Sequence, residues 1–140
     1  MAIVYLALGS NLSDRKAMIQ KAILNLKDQG IKVLKTSTII ETDPVGGPAQ
    51  NKFLNAVIKT QTSFSAEDLL SITKSIENKI GRIKNVMNGP RLIDIDILLY
   101  DDLKLVTRSL VIPHPKMMER PFVLKPLKEV DPKLCASLNR

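Results

Sequence analysis

The order of hydrophobic patterns along the chain predicts an α+β fold: strand, helix, strand, strand, helix, strand, then a short C-terminal helical annex. Three observations carry this. Apolar or β-branched runs over 2–8, 32–42, 53–62 and 92–99 alternate with two stretches whose apolar residues recur at helical spacing. Glycines and prolines fall between these runs rather than inside them, apart from one late proline. The 140 residues, with no internal repeat or linker, suit one domain spanning 1–140 and large enough to bury a core.

Residues 2–8 form a near-continuous apolar run ended by Gly9, as expected of a central strand covered on both faces. Gly9-Ser10-Asn11-Leu12 turns the chain, Ser13 is the expected helix cap with Asp14 in the first turn, and Ile19, Ala22, Ile23 and Leu26 make the buried stripe. Gly30 is the expected stop. A second strand over 32–42 meets Asp43-Pro44-Val45-Gly46-Gly47-Pro48, a loop too rich in breakers for a regular element. Its glycines lack the G-x-x-x-x-G-K-[ST] pattern of a phosphate-binding loop.

The third strand, 53–62, puts Leu54, Ala56 and Ile58 on one face and Phe53 with Asn55 on the other. Ser65-Ala66-Glu67-Asp68 has the form of a capping box, and Leu69, Ile72, Thr73, Ile76 and Ile80 continue it as an amphipathic helix ended by Gly81. Asp101-Asp102 reads as a hairpin turn returning along 104–107. A last helix over 122–130 is broken by Pro126 or begins near it, and the end beyond Pro132 is loosely held. This order of elements, with an antiparallel sheet, is that of a ferredoxin-like βαββαβ core with helices packed on it.

Hydrophobic residues make up 44% and charged residues 25%, which excludes a disordered chain. The apolar start is shorter than the ~20 residues a membrane span takes and lacks a basic flank, so neither span nor signal peptide is expected. Cys135 has no partner for an internal disulfide, which fits a reducing cytoplasm. A net charge of +7 favours an anionic partner. Five Phe and Tyr residues and no Trp make a poor base-stacking platform, so a nucleotide fits better than RNA.

The chemistry concentrates in Asn88-Gly89-Pro90-Arg91-Leu92-Ile93-Asp94-Ile95-Asp96-Ile97. On a strand, Asp94 and Asp96 share one face and Ile93, Ile95 and Ile97 the other. Carboxylates so close repel unless a cation lies between them, and hard oxygen ligands suit Mg²⁺. The plainer alternative is an edge strand with a solvated acidic face. Arg91, a bidentate phosphate binder after a rigid Gly-Pro turn, argues against it. Phe53 beside Asn55 suits a planar heterocycle, although a core Phe beside a surface Asn is the commoner meaning of such a pair. His114, the only histidine, is aimed by Pro115, although a lone histidine is more often structural than catalytic.

Taken with G-P-R-x-x-D-x-D and the later P-H-P-x-M-x-x-R-x-F, these residues identify a resemblance running from Ile3 to Pro132. The chain resembles the 6-hydroxymethyl-7,8-dihydropterin pyrophosphokinases of folate biosynthesis. The resemblance implies transfer of a pyrophosphoryl group from ATP to the pterin hydroxymethyl oxygen, with two Mg²⁺ ions held by Asp94 and Asp96. It puts Arg82, Arg91, Asp94 and Asp96 in catalysis, and Glu77, Lys84, Arg91, Ile97, His114 and Arg120 around ATP. It assigns Thr42, Pro44, Val45, Phe53, Asn55 and Phe122 to the pterin. A cytoplasmic monomer acting on small molecules, with neither nucleic acid nor membrane as partner, completes the expectation. Asn88 stands where many members carry Trp, the basic loop before Gly89 is short, and the chain stops at Arg140, so loop closure is where this chain is expected to differ. Two rival readings are an RNA-binding module on the same fold and a relative that kept the fold without turnover.

Overall fold

The computed structural model describes residues 1–43, 52–81 and 92–134. Its frame is set by β1 (Ala2–Ser10), whose alternate residues are buried on both faces, so it takes the middle of the sheet. It pairs antiparallel with β4 (Phe53–Thr62) along its whole length and with β5 (Asp94–Tyr100) on the other side. β2 (Lys32–Thr36) pairs outside β4, giving the order β2-β4-β1-β5, and β3 (Ile40–Thr42) pairs with β4 further along. This is the antiparallel order of a ferredoxin-like sheet.

Helices α1 (Arg15–Asp28) and α2 (Ala66–Ile80) cover one face through Ile19, Ala22, Leu26, Leu69 and Ile76, packed on Val4, Leu6, Ile58, Ile93, Ile95 and Ile97. α3 (Pro121–Val130) covers the other face, where Val123, Leu127 and Val130 meet Tyr5, Val57, Leu98 and Leu99. Each sheet face therefore has its own apolar layer. Among the described residues, no helix is long and apolar enough to cross a membrane.

Several expectations change in detail. Asp14, not Ser13, caps α1: its carboxylate accepts from Ala17 N, while Ser13 sits at φ 63°. Ser65 caps α2 as its pattern predicts, with Oγ accepting from Asp68 N at 3.1 Å, and Gly81 closes that helix at φ 109°. The run over 32–42 is two strands, because the chain leaves the ladder after Ser37, whose last bonds are to Val57, and rejoins it at Ile40. The residues after the turn at Asp101 do not return along β5. Instead β6 (Leu105–Val106) pairs with β7 (Val111–Ile112) as a separate ribbon. Pro126 does not break α3: it is buried within the helix, which runs on to Val130 despite the one hydrogen bond Pro126 cannot donate. Residues 132–134 are held in a helical turn, with Leu134 N donating to Asp131 Oδ1 at 3.1 Å.

Candidate active site

Where β1, β4 and β5 run out beneath the start of α3, the sheet and helix leave a cavity of about 220 Å³. Strand alternation decides which side chains reach it. Asp94 and Asp96 line it while Ile93, Ile95 and Ile97 are buried under α2, so the two-faced strand read from the sequence is the one that forms. Phe53 and Asn55 reach it from β4, Thr42 and Asp43 from β3 and its end, and Phe122 and Val123 from α3. His114, Lys116 and Arg120 complete the wall.

The two halves differ in chemistry. In one, Phe53 and Phe122 accompany the Asn55 amide, whose Nδ2 donates to Thr42 Oγ1. In the other, two carboxylates meet a histidine, a lysine and an arginine. The Arg120 guanidinium lies 5.6 Å from the centre of the Phe122 ring and so joins the halves.

A β-bulge places His114. Tyr5 pairs with Leu99 and Leu6 with Ile97, so Leu98 is an extra residue in β5. Its carbonyl accepts from His114 N at 2.9 Å, fixing the loop that carries the imidazole. Nδ1 accepts from Lys116 N at 3.2 Å, which leaves Nε2 to carry the proton of the neutral ring. Burial and then the Arg120 charge push the His114 pKa below its ordinary value, so the ring is neutral near pH 7.

Burial, then the Asp94 and Glu77 charges, raise Asp96 to about 7, with Lys74 and Arg120 opposing. Such a carboxylate gains most from a cation placed against it. Asp94 and Asp96 are the residues that could hold a divalent ion, with one or two carboxylates and the rest of the shell from water and phosphate as Mg²⁺ prefers. Among the described residues no three or more His, Cys, Asp or Glu side chains converge as a metal site.

Of the residues singled out from the sequence, Thr42, Phe53, Asn55, Asp94, Asp96, His114, Arg120 and Phe122 are brought together here. Glu77 and Ile97 are not. Ile97 follows the strand period into the layer under α2, and Glu77 is fully buried there, accepting from Ile95 N at 2.8 Å with Lys74 at 3.5 Å. Pro44, Val45, Arg82, Lys84, Asn88 and Arg91 lie outside the described residues. Sequence reasoning missed Gly9, Asp43 and Lys116, all of which line the cavity. The signal for Gly9 was its place at the end of an apolar strand: a Cβ there would lie 3.2 Å from Asn55 Oδ1 and 3.6 Å from Phe53 Cδ1.

The family model for 7,8-dihydro-6-hydroxymethylpterin-pyrophosphokinase (HPPK) matches residues 5–132. The chain belongs to the HPPK family. It is 45% identical over 129 residues to the 2-amino-4-hydroxy-6-hydroxymethyldihydropteridine pyrophosphokinase of Bacillus subtilis, covering 91% of this chain and 77% of that protein. Its identity to the Aquifex aeolicus protein of the same name is 42% over 140 residues, or 100% of this chain and 87% of that one. The HPPK-DHPS of Plasmodium falciparum, solved with SDX-DHP, superposes with a TM-score of 0.69 at 18% identity. That match takes in 94% of this chain and 40% of the other, and it supports the fold of this HPPK chain alone.

Proposed function

We propose that this chain transfers a pyrophosphoryl group from ATP to the hydroxymethyl oxygen of 6-hydroxymethyl-7,8-dihydropterin, giving AMP and the pterin diphosphate. The observation that carries the reading is one cavity with an aromatic and amide half beside an acidic and cationic half. Phe53 and Phe122 offer two faces to a flat ring, each worth about 0.5 to 1.5 kcal/mol beyond area burial, and Asn55 hydrogen-bonds the ring's amide edge. That places the ring substituent toward Asp94 and Asp96. His114 and Arg120, with Arg91 and the loop residues Arg82 and Lys84, take the phosphates of ATP, and Pro44 and Val45 contact the pterin ring.

In-line attack at the β-phosphorus needs the hydroxyl and the departing AMP oxygen held on opposite sides, with charge on the phosphoryl oxygens neutralised. Asp94 and Asp96 are the ligands for two Mg²⁺ ions, and bound Mg²⁺ supplies that neutralisation. Arg120 and His114 hold the nucleotide from the opposite wall, where each preorganised donor contributes a few kcal/mol on the scale of an oxyanion-hole donor. Glu77 supports the acidic strand from behind through its backbone bond at Ile95. Ile97 contributes to the nucleotide site through its backbone, since its side chain is in the core. Lone Cys135 and the net charge of +7 fit a cytoplasmic monomer with anionic small-molecule substrates.

Product analysis tests this. Protein with ATP, Mg²⁺ and the pterin should release AMP, in a reaction that needs all three, and Asp94→Ala or Asp96→Ala should slow it by roughly a thousandfold or more. ADP in place of AMP would mean ordinary kinase chemistry and overturn the reading. RNA binding that is salt-dependent and independent of Mg²⁺ would favour the rival module instead.

A further inference from the structure

We propose that Glu129, at the far end of α3, is a positioning residue for the pterin slot. It clamps together the two elements that form the slot's opposite walls. The proposal rests on the reading that the aromatic and amide half of the cavity takes the pterin.

The clamp sits where the edge of the sheet is irregular. Thr36 pairs with Ile58 and Ile40 with Asn55, so four steps along β2 and β3 are matched by three along β4. Ser37 still exchanges bonds with Val57, its N donating to Val57 O and its Oγ accepting from Val57 N, both at 2.9 Å. Thr38 then leaves the ladder, and its N–H would face solvent at the point that decides where β3 restarts. Glu129 takes it. Both carboxylate oxygens accept from Thr38 N at 2.9 Å, and Oε1 also accepts from Thr38 Oγ1 at 2.7 Å. The Thr38 hydroxyl and then its backbone N–H also hold the Glu129 pKa below its ordinary value.

The consequence reaches the slot from both sides. β3 ends at Thr42, whose hydroxyl accepts from Asn55, so the restart of β3 sets where the amide edge is presented. α3 begins at Phe122's turn, so the same contact limits how far the helix can swing from the sheet. α3 has a second anchor, the Tyr5 hydroxyl donating to Asp131 with Lys59 at 3.6 Å, but that anchor ties the helix to β1 and β4 and does not touch β3. Glu129 is the α3 residue whose side chain hydrogen-bonds the segment leading into β3.

The test is steady-state kinetics on Glu129→Ala, Glu129→Gln and Tyr5→Phe, varying pterin and ATP separately, with Tm measured on each. Glu129 is exposed, so neither substitution disturbs the core. Glu129→Ala should raise the pterin KM about fivefold, the worth of roughly one net hydrogen bond, with kcat and the ATP KM within about twofold. Glu129→Gln, which keeps an acceptor for Thr38, should recover most of that loss. Tyr5→Phe should lower Tm and leave the pterin KM in place. An unchanged pterin KM in Glu129→Ala, a parallel rise for both substrates, or an equal rise in Tyr5→Phe would overturn the clamp. If the unmodified protein turned nothing over, the functional reading would fail instead, and amide exchange at Thr38 would then decide the clamp: faster in Glu129→Ala supports it, unchanged overturns it.

Discussion

Gly9 is constrained by space rather than by backbone conformation. It faces Asn55 across the β1–β4 ladder, and a methyl group would come within 3.2 Å of the Asn55 amide oxygen. Asn55 cannot easily retreat, since its nitrogen is already bonded to Thr42. Gly9→Ala is therefore expected to displace the amide and raise the pterin KM about tenfold, within the ~1–3 kcal/mol that overpacking a tight site costs. The ATP KM should change less, because the three atoms nearest the methyl belong to Asn55, Phe53 and Leu54, while Asp94, the partner of Gly9 on β5, is not among them. A Gly9→Ala enzyme with wild-type pterin KM would show that the slot does not bind the ring against Asn55. At this scale the sequence was partly readable. Strand alternation placed Asp94, Asp96, Phe53 and Asn55 correctly, while a glycine required by a neighbour's amide 46 residues away in the chain leaves no local pattern.

At the scale of elements, caps and bulges decide how the cavity is aimed. α2 ends at Gly81 with φ 109°, and a Cβ there would meet Leu92 Cδ1 at 3.2 Å. Both the left-handed backbone and the contact penalise a side chain, so Gly81→Ala should cost about 1–2 kcal/mol. A urea midpoint lowered with an unchanged m-value would register it, and an unchanged midpoint would mean that the helix end relaxes. Gly81 and Ser65 were legible because capping is a local rule. The bulge at Leu98, the interruption after Thr36 and the pairing of β6 with β7 were not, since each depends on what the strand meets across the sheet. Pro126 was misjudged for the same reason: the packing of Val123, Leu127 and Val130 on the sheet outweighs one missing helix bond.

Across the whole molecule, the site stores charge at the expense of the fold. Asp96 rises from 3.8 to about 7, chiefly through burial and then Asp94. A carboxylate whose folded pKa is raised binds more protons folded than unfolded between those values, so stability falls as pH climbs from about 4 to about 7. Glu129 and Asp131 are shifted down, by their bonds to Thr38 and Tyr5 respectively, and contribute stability above the ordinary carboxylate range that is lost as pH drops through it. His114, also shifted down, contributes stability that is lost as pH falls below 6.5 and so opposes Asp96 over part of its range. Asp96→Asn isolates the carboxylate from these other groups. Without divalent metal, the wild-type Tm should drop by more than that of Asp96→Asn between pH 5 and pH 8. Adding Mg²⁺ with ATP should raise the wild-type Tm more at pH 8 than at pH 5, because the ionised carboxylate is the form that binds metal. Parallel Tm curves for the two proteins would mean that Asp96 is ionised throughout, and that the strain at the centre of the site lies elsewhere.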